Sequence, residues 1–269
     1  MACKNAYKRN VNIMSKTAEL AQVMPAEPNP LSVSRLLFGV DSHVQADDLL
    51  QNNLSMFEWA TRNKLYPNFW GRNLTGENCL TREEIDFLHD KGCKIAPIFT
   101  APQMKDSEEH GEEAGAAAVA AAQALAIPAG TAIFMELAAA EELVKDFLRG
   151  YANVLLRAGY TPGFMANTDA AFGFDREFSR GMQVDKDVFD KCLVWATAPS
   201  LKEYDRVTTT HLIHPDNWTP FAPSGITRND IAVWQYGKDC HPIHDDAGKE
   251  TTFCIDLVRD DTIIVEKMF

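Results

Sequence analysis

The chain has little that ties it to a membrane, a nucleic acid or a metal. Its 269 residues contain no run of about 20 apolar side chains, the length a helix needs to cross a bilayer, so no membrane span is expected. Lysine and arginine number 26 against 38 acidic residues, the net charge is −12, and no basic run occurs. That balance argues against nucleic acid or an anionic lipid surface as the main partner. Six cysteines, Cys3, Cys79, Cys93, Cys192, Cys240 and Cys254, are scattered without C-x-x-C or Cys–His spacing, so no metal site is expected. Cys79 with Cys93, or Cys240 with Cys254, can each close a short loop. Mostly free thiols in a reducing compartment is the favoured reading. Neither G-x-G-x-x-G nor Walker A spacing appears, which removes the usual nucleotide-binding folds, and no cofactor is expected. The N-terminal "MACKNAYKRNVNIMSKTAELAQVM" carries basic residues but no continuous apolar core, so a conventional export signal is not expected.

What is present is an ordinary globular hydrophobic fraction, 46%, arranged as short apolar runs between longer amphipathic stretches. The Pro-rich "PAEPNP" closes a polar arm over residues 1–30. From 31 to 269 the strand candidates are "LLFGVD", "NFWGRNL", "KIAPIFT", "TAIFMEL", "TPGFMAN", "DKCLVWATA", "DIAVWQYG" and "FCIDLV". Helical spacing runs through "ADDLLQNNLSMFEWATRN", "LTREEIDFLHDKG", "EEAGAAAVAAAQALAI" and "AAEELVKDFLRGYANVLLRAG". The second of these opens on Thr81 with Glu84 three residues on, a capping box, and closes at Gly92. Alternating strand and helix imply a parallel sheet clad in helices. The number of strands favours an α/β fold closed as a (β/α)8 TIM-like barrel over an open doubly wound sheet, in a single domain with a short N-terminal arm. Ser200–Gly225, with His211, His214 and Trp218, reads as a long loop over one face.

Barrels of this kind place reacting groups at the C-terminal ends of their strands. Polar and aromatic residues at such places are Asp41, Arg72, Thr100, Glu136, Asn167, Trp195, Trp234, Gln235, Tyr236 and Asp256. Carboxylates, amides, an arginine and aromatic faces together suit a polyhydroxylated substrate. His211/His214 and His241/His244 have i, i+3 spacing but sit among prolines, and read as incidental. Cys192 has no His/Asn constellation, which argues against a thiol nucleophile.

Taken in order, "FGVD", "FWGRNL", "CLTREEIDFLHDKGCKIAPIFT", "HGEEAGAAAVAAAQALAIPAGTAIFMEL", "LRGYANVLLRAGYTPGFMAN" and the late "DIAVWQYG" and "IDLV" carry a likeness. Over about residues 36–258 the chain resembles the glycoside-hydrolase-like domain family of unknown function, TIM barrels similar to the Chalaropsis-type lysozymes that cleave the peptidoglycan glycan. The resemblance implies a first-strand Asp, matched by Asp41, and a second-strand Arg, matched by Arg72. It implies a late Trp-Gln, matched by Trp234 and Gln235, and a following Asp, matched by Asp256. It also implies an acidic D-x-E at the end of the fourth strand. Here Glu136 takes the first acidic position and Ala138 the second, where the lysozyme relatives carry the acid that protonates the leaving group. Helical geometry makes Glu141 and Glu142 poor substitutes.

The expectation is therefore a hydrolase of cell-wall-type glycan, a substrate class that implies action outside the cytoplasm, although the sequence itself assigns no location. Asp41 and Glu136 form its catalytic pair, and Arg72, Thr100, Asn167, Trp195, Trp234, Gln235 and Asp256 hold the substrate. The alternative is a barrel that binds glycan with little or no cleavage, because of Ala138.

Overall fold

A computed structural model describes residues 36–138, 142–201, 215, 217–240, 252–259 and 261–269. The expected arm, Cys3, Glu141 and the histidines His211, His214, His241 and His244 lie outside the described residues. Eight strands close into a barrel in sequence order: β1 (Leu37–Asp41), β2 (Phe69–Asn73), β3 (Lys94–Thr100), β4 (Ala132–Glu136), β5 (Thr161–Ala166), β6 (Leu193–Ala196), β7 (Ile231–Cys240) and β8 (Phe253–Val258). The barrel is TIM-like with one departure. β1 to β7 are mutually parallel, whereas β8 is antiparallel to both β7 and β1. Two antiparallel neighbours can be joined directly at one end, while a parallel pair needs a crossover back along the barrel. The reversal brings the N-terminal half of β8 to the end of the barrel where the other strands finish.

The helices are α1 (Met56–Arg62), α2 (Arg82–Asp90), α3 (Glu108–Ala124), α4 (Lys145–Arg157), α5 (Gly173–Val184), α6 (Lys186–Phe189) and α7 (Asp261–Lys267). α1 is shorter than its periodicity predicts because Ser55 and Glu58 form a reciprocal capping box that starts it at Met56. Thr81 caps α2 by accepting from the Glu84 N–H at 3.1 Å, but the Glu84 carboxylate does not return to the cap; it is used elsewhere. α4 begins at Lys145, later than the sequence pattern implies. It has no side-chain cap of its own, and the buried Glu177 carboxylate of α5 accepts from the Lys145 N–H at 3.1 Å instead. A carboxylate is favoured at a helix N-terminus, where the orphan N–H groups and the helix dipole are both positive. α5, α6 and α7 have no counterpart in the sequence reading. α3 and α4 approach so closely that a Cβ at Gly111 would lie 2.1 Å from the Phe147 carbonyl oxygen.

Side chains alternate across each strand and divide the core in two. Phe69, Ile98, Phe134, Met165, Trp195, Val233 and Val258 fill the barrel interior, with Ile264 and Met268 joining them from the C-terminal segment. Val40, Trp70, Ile133, Phe164 and Trp234 face the other way, into the larger layer between barrel and helices. Each fully buried Phe contributes roughly 1.5–3 kcal/mol relative to exposure. Gly71 marks the inward face of β2: a Cβ there would sit 2.7 Å from the Asp41 Cβ and 3.0 Å from the Trp195 ring. The five described cysteines are free thiols. No helix among the described residues is long and apolar enough to cross a membrane.

Candidate active site

The inward alternation ends, at the barrel mouth, in polar residues. A cavity of about 430 Å3 opens there, lined by Asp41 of β1, Glu136 of β4, Asn167 after β5, Gln235 of β7 and Cys254 of β8. Asp41 is half-buried and accepts from Gln235 Nε2 at 2.8 Å. One layer deeper, Asp256 is fully buried, opposite Gly39 on β1 and Gln235 on β7. Its Oδ1 accepts from Trp195 Nε1 at 3.0 Å. Its Oδ2 meets no N–H or O–H donor among the described residues. The Asp41 carboxyl shares a side-chain hydrogen bond with it. Two carboxyls in contact are satisfied only if one carries a proton.

Asp256 is the one that keeps it. Burial pushes its carboxyl well above the usual range, and the Asp41 charge and the hydrogen bond it gives Asp41 push further. Burial raises Asp41 as well, but hydrogen bonds from Asp256 and Gln235 oppose the rise, so Asp41 ionises first. Glu136 is raised by burial and then by the Asp41 charge, against the weaker pull of His43 and Lys238. A protonated Glu136 facing an ionised Asp41 is an acid beside an anion, the division of labour that general acid catalysis of acetal cleavage requires.

Of the residues expected at the site, Asp41, Glu136, Asn167 and Gln235 meet at this cavity. Arg72 does not reach it. It follows inward-facing Gly71 and so points outward, fully buried, with Nε 2.7 Å from Glu84 Oε1. Its remaining nitrogens donate to the Ser42 carbonyl and, at 2.6 Å, to the Asn78 carbonyl. Trp195 lies inside the barrel and Trp234 outside it, both fully buried, so neither ring has a face for a sugar. Trp234 Nε1 donates to the Pro199 carbonyl at 3.1 Å. Thr100 is exposed beside its register partner Glu136 without lining the cavity. Asp256 sits beneath the cavity and acts on it through Asp41.

His43, Lys238, Asp239 and Cys254 line the cavity without having been singled out. His43 follows Asp41 by two residues, and "VDSH" at a strand end is a signal that was available. Lys238 and Asp239 owe their place to two register breaks in β7, between Gln235 and Gly237 and between Gly237 and Cys240. Asp239 there adopts a φ of 50°, costly for a non-glycine residue. Ala138, at the second acidic position, is exposed and lines the cavity. Among the described residues no group of three or more His, Cys, Asp or Glu is arranged to hold a metal ion.

A family profile, the Rv2525c-like, glycoside hydrolase-like domain, matches residues 65–252. The chain belongs to that family. No curated protein matches the chain. Among solved structures, this member of the Rv2525c-like family is similar to an uncharacterized B. stearothermophilus protein, 24% identical with a TM-score of 0.66 over 87% of this chain and 100% of the other. That likeness shows the fold. The Tat-secreted protein Rv2525c of Mycobacterium tuberculosis, solved in complex with HEPES, is 11% identical with a TM-score of 0.47, over 83% of this chain and 94% of that one. The modular autolysin LytC of Streptococcus pneumoniae, solved with a synthetic peptidoglycan ligand, is 10% identical with a TM-score of 0.49. The match covers 83% of this chain and 46% of LytC.

Proposed function

We propose that the chain is a glycoside hydrolase acting on cell-wall-type glycan, peptidoglycan or a related N-acetyl sugar polymer, by carboxylate acid/base chemistry. One observation carries the reading: Asp41 and Glu136 line one cavity, with Glu136 held above the usual carboxylate range by burial and by Asp41. Glu136 protonates the glycosidic oxygen as the bond breaks, and Asp41 stabilises the oxocarbenium charge that develops. With no acid at Ala138, the substrate's 2-acetamido oxygen serves as the nucleophile, a route that needs one protein acid and a nearby anion. Asn167 and Gln235 supply amides for sugar hydroxyls. Trp195 and Trp234 are buried, so these two rings take no part in the grip, and the amides hold the sugar by hydrogen bonds. The family, a glycoside hydrolase-like domain, and the ordered motifs that resemble the Chalaropsis-type lysozymes support this substrate class.

A second reading is a barrel that holds glycan without cleaving it, favoured by the exposed Ala138 in the cavity wall. Release of reducing ends from purified peptidoglycan and chitin oligomers separates the two. Wild type is expected to release them and Glu136→Gln to do so some 10²–10⁴-fold more slowly. Retained glycan binding with no release by wild type overturns the hydrolase and leaves the binding barrel.

A further inference from the structure

We propose that the reversed strand β8 supplies two positioning residues, Asp256 and Cys254, which hold Asp41 as a fixed anion and leave proton exchange to Glu136. The last clause rests on the glycosidase reading; the first does not.

The geometry comes from the register. Because β8 runs antiparallel, Cys254 lies directly opposite Asp41, and Asp256 lies opposite Gly39, two residues earlier on β1. Directly opposed residues of an antiparallel pair have Cβ atoms about 4.5–5.5 Å apart on the same face. That face is the barrel interior, since Val258, two residues beyond Asp256, belongs to the interior cluster. Cys254 and Asp41 both line the cavity. A carboxylate offers about four acceptor positions. The Gln235 amide fills one at 2.8 Å, the Asp256 proton a second and the Cys254 thiol a third.

The thiol is itself oriented. The Asp239 N–H donates to its sulfur, which leaves the S–H proton for Asp41. Burial and the Asp41 charge keep Cys254 protonated, so it is a donor and a poor nucleophile. Asp41 also faces His43 from its own loop, Glu136 from β4, and Lys238 and Asp239 from β7. His43 assists its ionisation through space, and Arg72 is turned away. Burial raises Asp41 and the three hydrogen bonds it accepts oppose that rise, so they fix its position and favour its anion as a preorganised counter-charge.

Carboxyl-¹³C NMR titration of the intact protein tests this without requiring turnover. In wild type Asp41 is expected to ionise before Asp256, and Asp256 well above the usual carboxylate range. In Cys254→Ala the Asp41 midpoint moves to higher pH, and in Cys254→Ser, which restores a donor, it returns. An Asp256 that ionises before Asp41 or within the usual carboxylate range, or an Asp41 midpoint unmoved in Cys254→Ala, overturns the proposal. The wild-type titration decides the Asp256 half even if a variant does not fold. Where reducing ends are released, the acid limb of the pH–rate profile follows the Asp41 midpoint in the same direction. A protein that binds glycan without cleaving it leaves the titration result standing, so the two proposals fail separately.

Discussion

Two groups of ionisable side chains, withdrawn from solvent wholly or in part, sit close together in this protein, and they handle burial in opposite ways. Arg72 and Glu84 are both fully buried, a cation against an anion at 2.7 Å. Hydrogen bonds from Arg72 to the Ser42 and Asn78 carbonyls, and from the Ala46 N–H to Glu84, complete the cluster. Asp41, Asp256 and Glu136 are three carboxyls that no ion pair joins to a cation among the described residues, and they settle by sharing protons, Asp256 and Glu136 holding theirs against the charge of Asp41. The first arrangement neutralises charge to fasten the loops after β1 and β2 to α2. The second keeps charge poised where it is costly, the mark of a site rather than of a scaffold. They are also connected, since Arg72 holds the carbonyl of Ser42, the residue that follows Asp41.

The sharpest break in this comparison is Arg72→Met. It leaves Glu84 buried without its cation, and a loss of about 3–5 kcal/mol of stability is expected, read as a lower urea midpoint. Replacing both partners, Arg72→Met with Glu84→Leu, is expected to recover much of that, because the uncompensated charge is gone. If Arg72 instead gripped substrate, the single variant would lose glycan binding with its midpoint unchanged.

The same comparison explains what the sequence could show. All eight strands were legible as apolar runs, and so was the closure they imply, because interior and exterior faces of a barrel are both buried. The position of a side chain relative to the mouth was not legible, because it turns on alternation. Gly71 faces inward and Arg72 outward; Gln235 faces inward and Trp234 outward. A one-residue step moves a side chain from cavity to scaffold. The direction of β8 was hidden too, and with it the pairing of Cys254 with Asp41. Reading "FCID" as a strand ending at the mouth puts Asp256 in the cavity; the reversed strand puts Cys254 there and Asp256 beneath it. Lys238 and Asp239 depend on register breaks around Gly237 that no periodicity announces.

A smaller effect, opposite in sign to that at Arg72, is expected at Asp256. In the folded state its carboxyl ionises well above the usual range, whereas in the unfolded chain it ionises at about 3.9. Below the unfolded value both states are protonated and nothing is lost. As pH rises toward and through the folded value, the unfolded state gains by releasing a proton that the folded state keeps, so stability falls. Asp256→Asn removes that term while its amide can still accept from Trp195 and donate to Asp41. The variant is therefore expected to gain stability relative to wild type as pH rises above about 4, measured by urea denaturation from acid to neutral pH. A wild-type-to-variant difference that does not change with pH would mean Asp256 is ionised in the folded protein.

The smallest effect on stability, and the most direct probe of chemistry, belongs to Ala138→Glu. The position is exposed in the cavity wall, so the midpoint is expected to move by no more than about 0.5 kcal/mol. The introduced carboxyl would stand two residues beyond Glu136, at the second position of the acidic pattern that the resemblance to the Chalaropsis-type lysozymes implies. Faster reducing-end release in this variant, with glycan affinity unchanged, is the outcome expected if proton delivery limits the wild-type rate. Its pH dependence adds a second reading. A new acid that takes over protonation frees the rate from Glu136, so Ala138→Glu combined with Glu136→Gln retains cleavage that Glu136→Gln alone has lost. If the double variant stays as slow as Glu136→Gln, the introduced carboxyl does not reach the glycosidic oxygen, and the acid function of this cavity belongs to β4 itself rather than to the loop beyond it.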